Sequence, residues 1–367
     1  MFKSGIFFVA VILLAGCAGN SVQRLPPSES PGTNVVHAFP TPSTPSPVVQ
    51  PIPPVHAPYP TPPTSAPTAT WTSLADWAAE HHLAAPRRVS DAPVAAYSIS
   101  SQYGTMVLEI GAREATWNGI QISLGFAPQL IDGDISLYGL DLQKNLEPLL
   151  CEPPLAFTPN EVIVIDPGHG GSNVGTHSVL DGRFEKEFTL DLAKRLKPLL
   201  EAEGWKVYLT RESDVFVTNS DRVVFANDRQ ADAFISLHFN SAAPDETQAG
   251  LETYCVPAMG MPSTISRGSF ADPWTQNLPN NAFDAQNLRL AVRVHSALVH
   301  TMGMPDRSVR RARFITVLQG QLRPAILIEA GYLSNPHEAS LIENPDYRQK
   351  LAAALAGALR PISEDGR

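Results

Sequence analysis

From Glu161 onward, short apolar runs alternate with segments in which apolar residues recur every three or four positions. The first run, residues 162–165, has the unbroken apolar character of a strand that is buried on both faces. Phe188, Leu192 and Leu196 then fall on one face of a helix. This alternation predicts an α/β fold in which a mainly parallel twisted sheet is flanked by helices.

The same pattern places further elements along the chain. Gly204 ends the first helix, and the elements predicted after it are strands at residues 206–209 and 233–237, helices at residues 222–229 and 284–302, and strands near residues 314–318 and 325–328.

Three polar side chains stand where predicted strands of this sheet end. His169 follows the first strand in a loop rich in glycine, and His238 and Glu329 end two later strands. Because ligands bind at the carboxyl edge of the strands in open α/β sheets, these side chains are expected to meet there. Glu185 directly precedes a predicted helix and is expected over the same crevice. The sequence therefore predicts a polar site at this edge.

The residue types at that edge indicate a hydrolytic metal site. Two imidazoles and one carboxylate leave the fourth position of a tetrahedral zinc ion open to water. A further carboxylate can then accept the proton of that water. Each of these residues alone could equally be structural, but their convergence on one edge favours chemistry.

Short motifs occur in a fixed order across the second half of the chain. They are Asp166 to Gly171, Glu185-Lys186, Thr210-Arg211 with Asp214, Arg222 with Ala226-Asn227, Ser236 to Asn240, Asp306-Arg307 with Val309, and Ile328 to Asn335. With these motifs, residues 162–360 resemble the zinc-dependent N-acetylmuramoyl-L-alanine amidases of the Amidase_3 type.

The resemblance implies a complete set of site residues. His169, Glu185 and His238 would bind Zn²⁺, and Glu329 would be the catalytic glutamate. The implied reaction is hydrolysis of the amide between N-acetylmuramic acid and the L-alanine of the peptidoglycan stem peptide. Asp166 is expected to accept a hydrogen bond from His169, because metal-bound histidines usually donate their other N–H.

Two departures from the family pattern bear on the crevice. Phe239 stands where the family often has a small residue, and it is expected to alter the pocket wall, whereas the neighbouring Asn240 is retained as a supporting residue. The segment of residues 259–281 replaces a regulatory helix of some relatives. Because it contains Pro262, Pro273 and Pro279, we expect a loop bordering the substrate cleft. The sequence leaves the need for a protein activator open.

The amino terminus has the pattern of a bacterial lipoprotein. Lys3 precedes an apolar run at residues 6–14, which is too short to span a membrane. The following Leu-Ala-Gly-Cys resembles a lipobox, so residues 1–16 are predicted to be a signal peptide and Cys17 to be lipidated. Ala18 then favours the outer membrane, facing the periplasm. A plain signal peptide that happens to contain a cysteine is the alternative.

Two regions separate this terminus from the predicted catalytic domain at residues 158–363. Residues 17–70 are predicted to be a disordered tether, because 15 of the 34 prolines lie between Pro26 and Pro67. Residues 71–157 are predicted to form a small α+β domain that resembles a copper-amine-oxidase-N-like domain. Its helix is expected to start near Trp71, capped by Thr72 or Ser73. Wall binding and a purely structural role both remain open for it.

Composition bears on the possible partners of the chain and on the state of its cysteines. The net charge of −9 and the lack of a Lys/Arg-rich block argue against nucleic acid as a partner. Cys151 and Cys255 are expected to be unpaired. Two rival functions stay open, namely another zinc hydrolase acting on wall peptides or acetylated sugars, and an inactive lipoprotein that binds peptidoglycan. Four further histidines are assigned to surface or packing roles: His177, His295, His300 and His337.

Overall fold

The computed structural model describes residues 70–91, 93–265 and 272–361. The predicted signal peptide, Cys17 and the predicted tether up to residue 69 lie outside the described residues. The strands are β1 (Trp71–Ser73), β2 (Arg87–Ser90), β3 (Ala96–Ser100), β4 (Thr105–Glu109), β5 (Glu114–Trp117), β6 (Ile120–Ser123), β7 (Gln129–Ile131), β8 (Asp134–Tyr138), β9 (Val162–Pro167), β10 (Lys206–Leu209), β11 (Ala233–Asn240), β12 (Leu251–Cys255), β13 (Asp306–Arg311) and β14 (Ala325–Tyr332).

The helices are α1 (Leu74–Glu80), α2 (Gly139–Asp141), α3 (Glu147–Leu150), α4 (Glu185–Ala202), α5 (Asn219–Asp228), α6 (Asp284–Met302), α7 (Thr316–Gln319), α8 (Pro336–Glu343) and α9 (Pro345–Ala358). A π-helical turn at Leu142–Leu146 connects α2 to α3, and a 3₁₀ turn at Pro279–Phe283 precedes α6. Among the residues described, no helix is long and apolar enough to cross a membrane.

An eleven-stranded sheet runs through the protein in the order β10-β9-β11-β14-β12-β13-β6-β5-β4-β3-β2. Strands β10, β9, β11 and β14 are parallel, and β12 lies antiparallel to β14. Strand β13 pairs in parallel with both β12 and β6, whereas β2 to β6 are joined as antiparallel hairpins. The predicted α/β class with a mainly parallel catalytic sheet is confirmed.

The central strands are buried on both faces, as their unbroken apolar runs predict. Ile163 and Ile165 of β9 face one way, into the core beneath α4, α6 and α9. Val164 faces the other way, into a second core beneath α5 and α7. Alternate residues of each strand therefore belong to different layers, and this alternation decides which side chains can reach a common site.

The predicted accessory region continues the sheet of the catalytic region. Val309 of β13 pairs with Ile122 of β6, and the Ser123 and Ser308 hydroxyl groups lie 3.0 Å apart. Trp117 belongs to the same buried core as residues of α4 and α6. Residues 70–361, where described, thus form one compact unit. A division into two domains near residue 157 remains a prediction.

Two elements differ from the prediction. Residues 71–73 form strand β1, and α1 begins only at Leu74, where Ser73 is the N-cap and accepts a hydrogen bond from the Asp76 amide. The strand predicted near residues 314–318 is wrong, because those residues include the short helix α7. The strand lies earlier in the chain, at β13. Its three arginines break the apolar pattern from which a buried strand is predicted.

The segment after β12 lies at the edge of the sheet opposite to the carboxyl ends of β9, β11 and β14. Because β12 runs antiparallel to β14, the chain leaves Cys255 beside the start of β14. Arg313 holds the segment there through an ion pair with Asp272 (2.7 Å) and a hydrogen bond to the Met261 carbonyl. The expectation that residues 259–281 border the substrate cleft is therefore wrong for the part that the structure describes.

Candidate active site

The loop that carries His169 is fixed through its backbone. His169 has φ of 63°, a left-handed conformation that is strained for a residue with a side chain. Arg222 donates to the His169 carbonyl oxygen at 2.7 Å, and Arg211 donates to the carbonyl oxygens of Pro167 and Gly168 at 2.9 Å. Two buried guanidinium groups therefore hold the backbone of the His169 loop in place.

His169, Glu185 and His238 converge on one point. The His169 Nε2 atom lies 3.0 Å from Glu185 Oε2, and the His238 Nδ1 atom lies 2.9 Å from Glu185 Oε1. One ligand atom from each residue falls within 4.8 Å of the others. Residues from the ends of β9 and β11 and from the first position of α4 thus form the cluster that the sequence predicts.

Neighbouring groups orient these three side chains. The His169 Nδ1 atom lies 2.8 Å from the Asn173 side-chain oxygen, so its Nε2 atom is turned towards Glu185. The backbone amides of Thr176 and Phe239 donate to the two Glu185 oxygens at 3.0 and 3.1 Å. Asn173 was not predicted from the sequence. Its position in the turn that closes the His169 loop is the only sequence signal for it.

The charges of this cluster are coupled. Burial would raise the pKa of the Glu185 carboxyl group, but the charge of His169 and hydrogen bonds from both imidazoles hold that pKa well below its ordinary value. Burial also disfavours the charged imidazoles, and it lowers the pKa of His238. At His169 the adjacent carboxylate outweighs burial, and the pKa of the imidazole is raised. Glu185 is therefore an anionic carboxylate between two imidazoles.

The cluster suits a zinc ion in both donor type and space. Two imidazole nitrogens and a carboxylate are the donor set of many catalytic zinc sites. A side chain at Gly168 would overlap the His238 ring, and one at Gly175 would overlap both Glu185 and the His169 ring. These two glycines allow the backbone to approach the donors closely, so the fold leaves room for the three donors to surround a cation.

Glu329 stands beside this cluster on the same face of the sheet. Its Cα is the direct partner of the His238 Cα across the parallel strands β14 and β11. Registered residues on adjacent strands point to the same face, at a strand spacing of about 4.8 Å. The half-buried Glu329 carboxyl group therefore lies one strand away from His238, on the same face of the sheet.

Asp166 does not accept a hydrogen bond from His169, so that prediction is wrong. The Asp166 carboxylate is buried below the loop, where it pairs with Arg222 and accepts from Ser236 Oγ at 2.7 Å. Its side chain points inward from β9, whereas the His169 ring is turned by Asn173. Asp166 supports the loop only through Arg222, which also binds the His169 carbonyl oxygen.

Asn240 was predicted to support the zinc-binding residues, but its side chain contacts Glu252 instead. The Asn240 side-chain nitrogen donates to Glu252 at 3.0 Å, and not to His169, Glu185 or His238. Glu252 is the registered neighbour of Glu329 on β12. We call the residues around Glu252 the polar cluster, and its members are Asn240, Glu252, Tyr254, Arg307, Arg310 and Tyr332.

The polar cluster was missed as a unit. Its one sequence signal is an acidic residue among the uncharged residues of β12, a strand that is buried along its whole length. Tyr254 and Tyr332 donate to Glu252 at 2.6 and 3.2 Å, and Arg307 donates to it at 3.0 Å. These donors hold the Glu252 side chain in one orientation, next to its registered neighbour Glu329.

Other sequence predictions have clear outcomes. Phe239 does not line the crevice, because it alternates with His238 and its ring packs against Phe188 on the opposite face of β11. Cys151 and Cys255 are both unpaired, as expected. His295 is a packing residue, fully buried and bonded to Thr253 and Asp306.

The chain is similar to known proteins over the region that contains the cluster of His169, Glu185 and His238. A family model described as N-acetylmuramoyl-L-alanine amidase matches residues 163–361. The N-acetylmuramoyl-L-alanine amidase AmiC of Escherichia coli O6:H1 is 28% identical over 252 residues, which cover 62% of this chain and 59% of AmiC. The corresponding amidase LytC of Bacillus subtilis strain 168 is 32% identical over 196 residues, which cover 53% of this chain and 34% of LytC.

A solved structure shows a similar extent of likeness. The crystal structure of N-acetylmuramoyl-L-alanine amidase from Clostridium difficile 630 is 30% identical, with a TM-score of 0.45, and the match covers 55% of this chain and 95% of that chain. The present chain spans less than two thirds of the length of both AmiC and LytC.

Proposed function

The chain belongs to the N-acetylmuramoyl-L-alanine amidase family, and we propose that it hydrolyses the amide between N-acetylmuramic acid and the L-alanine of peptidoglycan stem peptides. The observation that carries the proposal is the convergence of His169, Glu185 and His238 beside Glu329. All four residues lie within residues 163–361, the range that the family model matches, which supports the proposal.

His169, Glu185 and His238 are proposed to bind Zn²⁺, which when bound lowers the pKa of water and polarises a carbonyl group. Glu329 is proposed as the general base that takes a proton from the attacking water and delivers it to the leaving nitrogen. Positioned acid–base groups of this kind typically contribute ~10²–10⁴ in rate. Asn173 keeps His169 oriented during this step, and the polar cluster keeps the crevice beside Glu329 rigid.

The cell envelope is the proposed location. Relatives of this chain include proteins named as cell wall amidases, and peptidoglycan lies outside the cytoplasm. Lipidation of Cys17 and anchoring in the outer membrane, facing the periplasm, are proposed from the amino-terminal pattern. A proline-rich segment after Cys17 would let an anchored enzyme reach the wall.

The test is product analysis of purified sacculi digested with the zinc-loaded protein. The proposal predicts free stem peptides that carry a new L-alanine amino group, and glycan strands that keep the lactyl carboxyl group. Mass spectrometry with amino-terminal labelling identifies both products. Chelation of zinc should stop the release, and added zinc should restore it.

Other outcomes separate the rival functions. Cleavage within the stem peptide would indicate a zinc peptidase, and release of acetate would indicate a deacetylase. Sacculi that bind the zinc-loaded protein but stay intact would indicate a non-catalytic binding protein. Any of these three results would contradict the proposed amidase activity.

A further inference from the structure

Arg307 lies at the open side of the polar cluster. Its Nε atom donates to Glu252 Oε1 at 3.0 Å, and its side chain is 28% exposed whereas that of Glu252 is 5% exposed. The guanidinium also lies over the Tyr332 ring, 5.1 Å from the ring centre. A long cationic side chain is thus held in one orientation at the surface of the crevice.

The donors of Arg307 are only partly used. Among the described residues no hydrogen bond is assigned to its two Nη groups, although its Nε atom is bound to Glu252. The remaining Nη–H groups form a planar fork that matches the two oxygens of a carboxylate. Because the Nε contact and the tyrosine ring fix the plane of the guanidinium, little side-chain entropy is lost when the fork binds an anion.

Within the polar cluster, Glu252 is shared between two cations. Arg310 Nε lies 3.5 Å from the same Oε1 atom that Arg307 contacts. Tyr254 and Asn240 also donate to Glu252, through Oε2. One buried carboxylate therefore faces two guanidinium groups and several neutral donors, so Arg307 retains capacity for a second anionic partner.

The position of Arg307 relative to Glu329 fits the peptide side of the substrate. Glu252 and Glu329 are registered partners on adjacent strands, about 5 Å apart between their Cβ atoms. The Arg307 guanidinium contacts the Glu252 carboxylate, so it lies on the side of Glu252 that is reached from Glu329 through one intervening side chain. Glu329 on β14 lies between His238 on β11 and the Glu252–Arg307 pair on β12 and β13. A peptide that starts at a leaving nitrogen beside Glu329 and continues across these strands, away from His238, would therefore reach Arg307.

We propose that Arg307 binds a carboxylate of the stem peptide, on the leaving-group side of the scissile amide, and so selects acidic peptides over amidated ones. This inference rests on the proposed amidase function. An extended peptide advances about 3.4 Å per residue, so a carboxylate on the residue that follows L-alanine comes within reach of the Nη fork.

The test compares two synthetic muramyl dipeptides that differ in one group. One carries D-glutamic acid with a free α-carboxylate after L-alanine, and the other carries the α-amide. The wild-type protein is expected to cleave the acid with kcat/KM about tenfold or more above that of the amide, since hydrogen bonds to charged groups are the stronger ones. In Arg307→Gln the ratio should fall to about one, mainly through a higher KM for the acid.

Binding of the product dipeptides provides a readout that does not depend on turnover. Calorimetry with L-alanyl-D-glutamate and with its α-amide should show the same preference in the wild-type protein and its loss in Arg307→Gln. In Arg307→Gln, Glu252 loses one of its two cationic partners. The double variant Glu252→Gln with Arg307→Gln also removes the Glu252 carboxylate, and it should likewise bind the acid and the amide equally well. Arg307→Lys keeps the positive charge but lacks the planar pair of Nη–H groups, so it should retain only part of the preference for the acidic dipeptide.

Arg195→Gln is the matched control. Arg195 is also tied through Nε to one carboxylate, Asp191, at 2.7 Å, and it is 27% exposed on α4. This variant should keep the full preference for the acid. Equal binding of the two dipeptides by the wild-type protein, or an unchanged preference in folded Arg307→Gln, would overturn the proposal. A preference in dipeptide binding without any cleavage would uphold the role of Arg307 and count only against the amidase activity.

Discussion

At the scale of single residues, the orientation of the proposed zinc ligands depends on side chains outside the cluster of His169, Glu185 and His238. His169 adopts a left-handed backbone because Arg222 and Arg211 bind the carbonyl oxygens of its loop. Its ring is oriented by Asn173 at Nδ1 and by Glu185 at Nε2. The clustering of His169, Glu185 and His238 was predictable from their residue types and positions in the chain. Asn173 and Glu252 were not predictable, because only the folded loop and the strand register bring them to the site.

Replacing Asn173 with alanine is expected to weaken zinc binding by 10–100-fold. The His169 ring would lose the acceptor that fixes its orientation, and loss of such partners typically costs this much affinity. Competition with a chromophoric chelator measures the dissociation constant. Asn173→Asp keeps an acceptor oxygen and should bind zinc nearly as tightly as the wild-type protein. Unchanged affinity in Asn173→Ala would show that the ring is held in another way.

Asp166 gives a prediction for stability and its pH dependence. Burial would raise the pKa of this carboxyl group, but Arg222 and the hydrogen bonds from Thr210 and Ser236 lower it below its ordinary value. A lowered folded-state pKa stabilises the protein above the unfolded-state pKa of about 3.9, and this contribution disappears as the pH falls through the folded-state pKa.

Asp166→Asn is therefore expected to lower the free energy of unfolding at pH 7 by about 3–5 kcal/mol, because it leaves Arg222 buried without its counter-charge. The difference from the wild-type protein should shrink below about pH 4. Urea denaturation followed by circular dichroism at several pH values measures both effects. A difference that stays constant down to pH 3 would contradict the assigned ion pair.

At the scale of elements, periodicity predicts a strand or helix well where one face or both faces are apolar. Strand β9 and helix α6 lie close to where the sequence places them. Strand β13 was missed, because Arg307, Arg310 and Arg311 give it the composition of a loop, although each arginine is bonded to a carboxylate or a carbonyl oxygen. The antiparallel direction of β12 was equally hidden, and it moves the following segment to the far edge of the sheet.

The pairing of β6 with β13 predicts that the two halves of the folded region depend on each other. A fragment that begins at residue 158 would leave one edge of β13 unpaired and would expose core residues that pack against Trp117 and Ile122. We expect this fragment to aggregate, or to unfold at least several degrees below the chain that begins at residue 70. Light scattering and thermal denaturation provide the comparison. A monomeric fragment with an unchanged Tm would instead support two independent domains.

At the scale of the whole molecule, one face of the sheet presents a row of functional groups across successive strands. His169 and His238 end β9 and β11, Glu329 follows on β14, and Glu252 on β12 brings Arg307 of β13 to the crevice. The first three strands of this row could be predicted, because they are parallel and apolar. The places of β12 and β13 beside β14 could not be predicted, because the order of strands in a sheet depends on long-range pairing, and periodicity in the sequence carries no information about it.

The central claim is that His169, Glu185 and His238 hold zinc while Glu329 moves the proton. Its most direct test measures zinc content and sacculus hydrolysis together in the wild-type protein, Glu329→Gln and His169→Ala. The account predicts about one zinc per chain in the first two, with activity lowered by ~10²–10⁴ in Glu329→Gln, and the loss of both zinc and activity in His169→Ala. Full activity in zinc-loaded Glu329→Gln, or full zinc occupancy in His169→Ala, would contradict it.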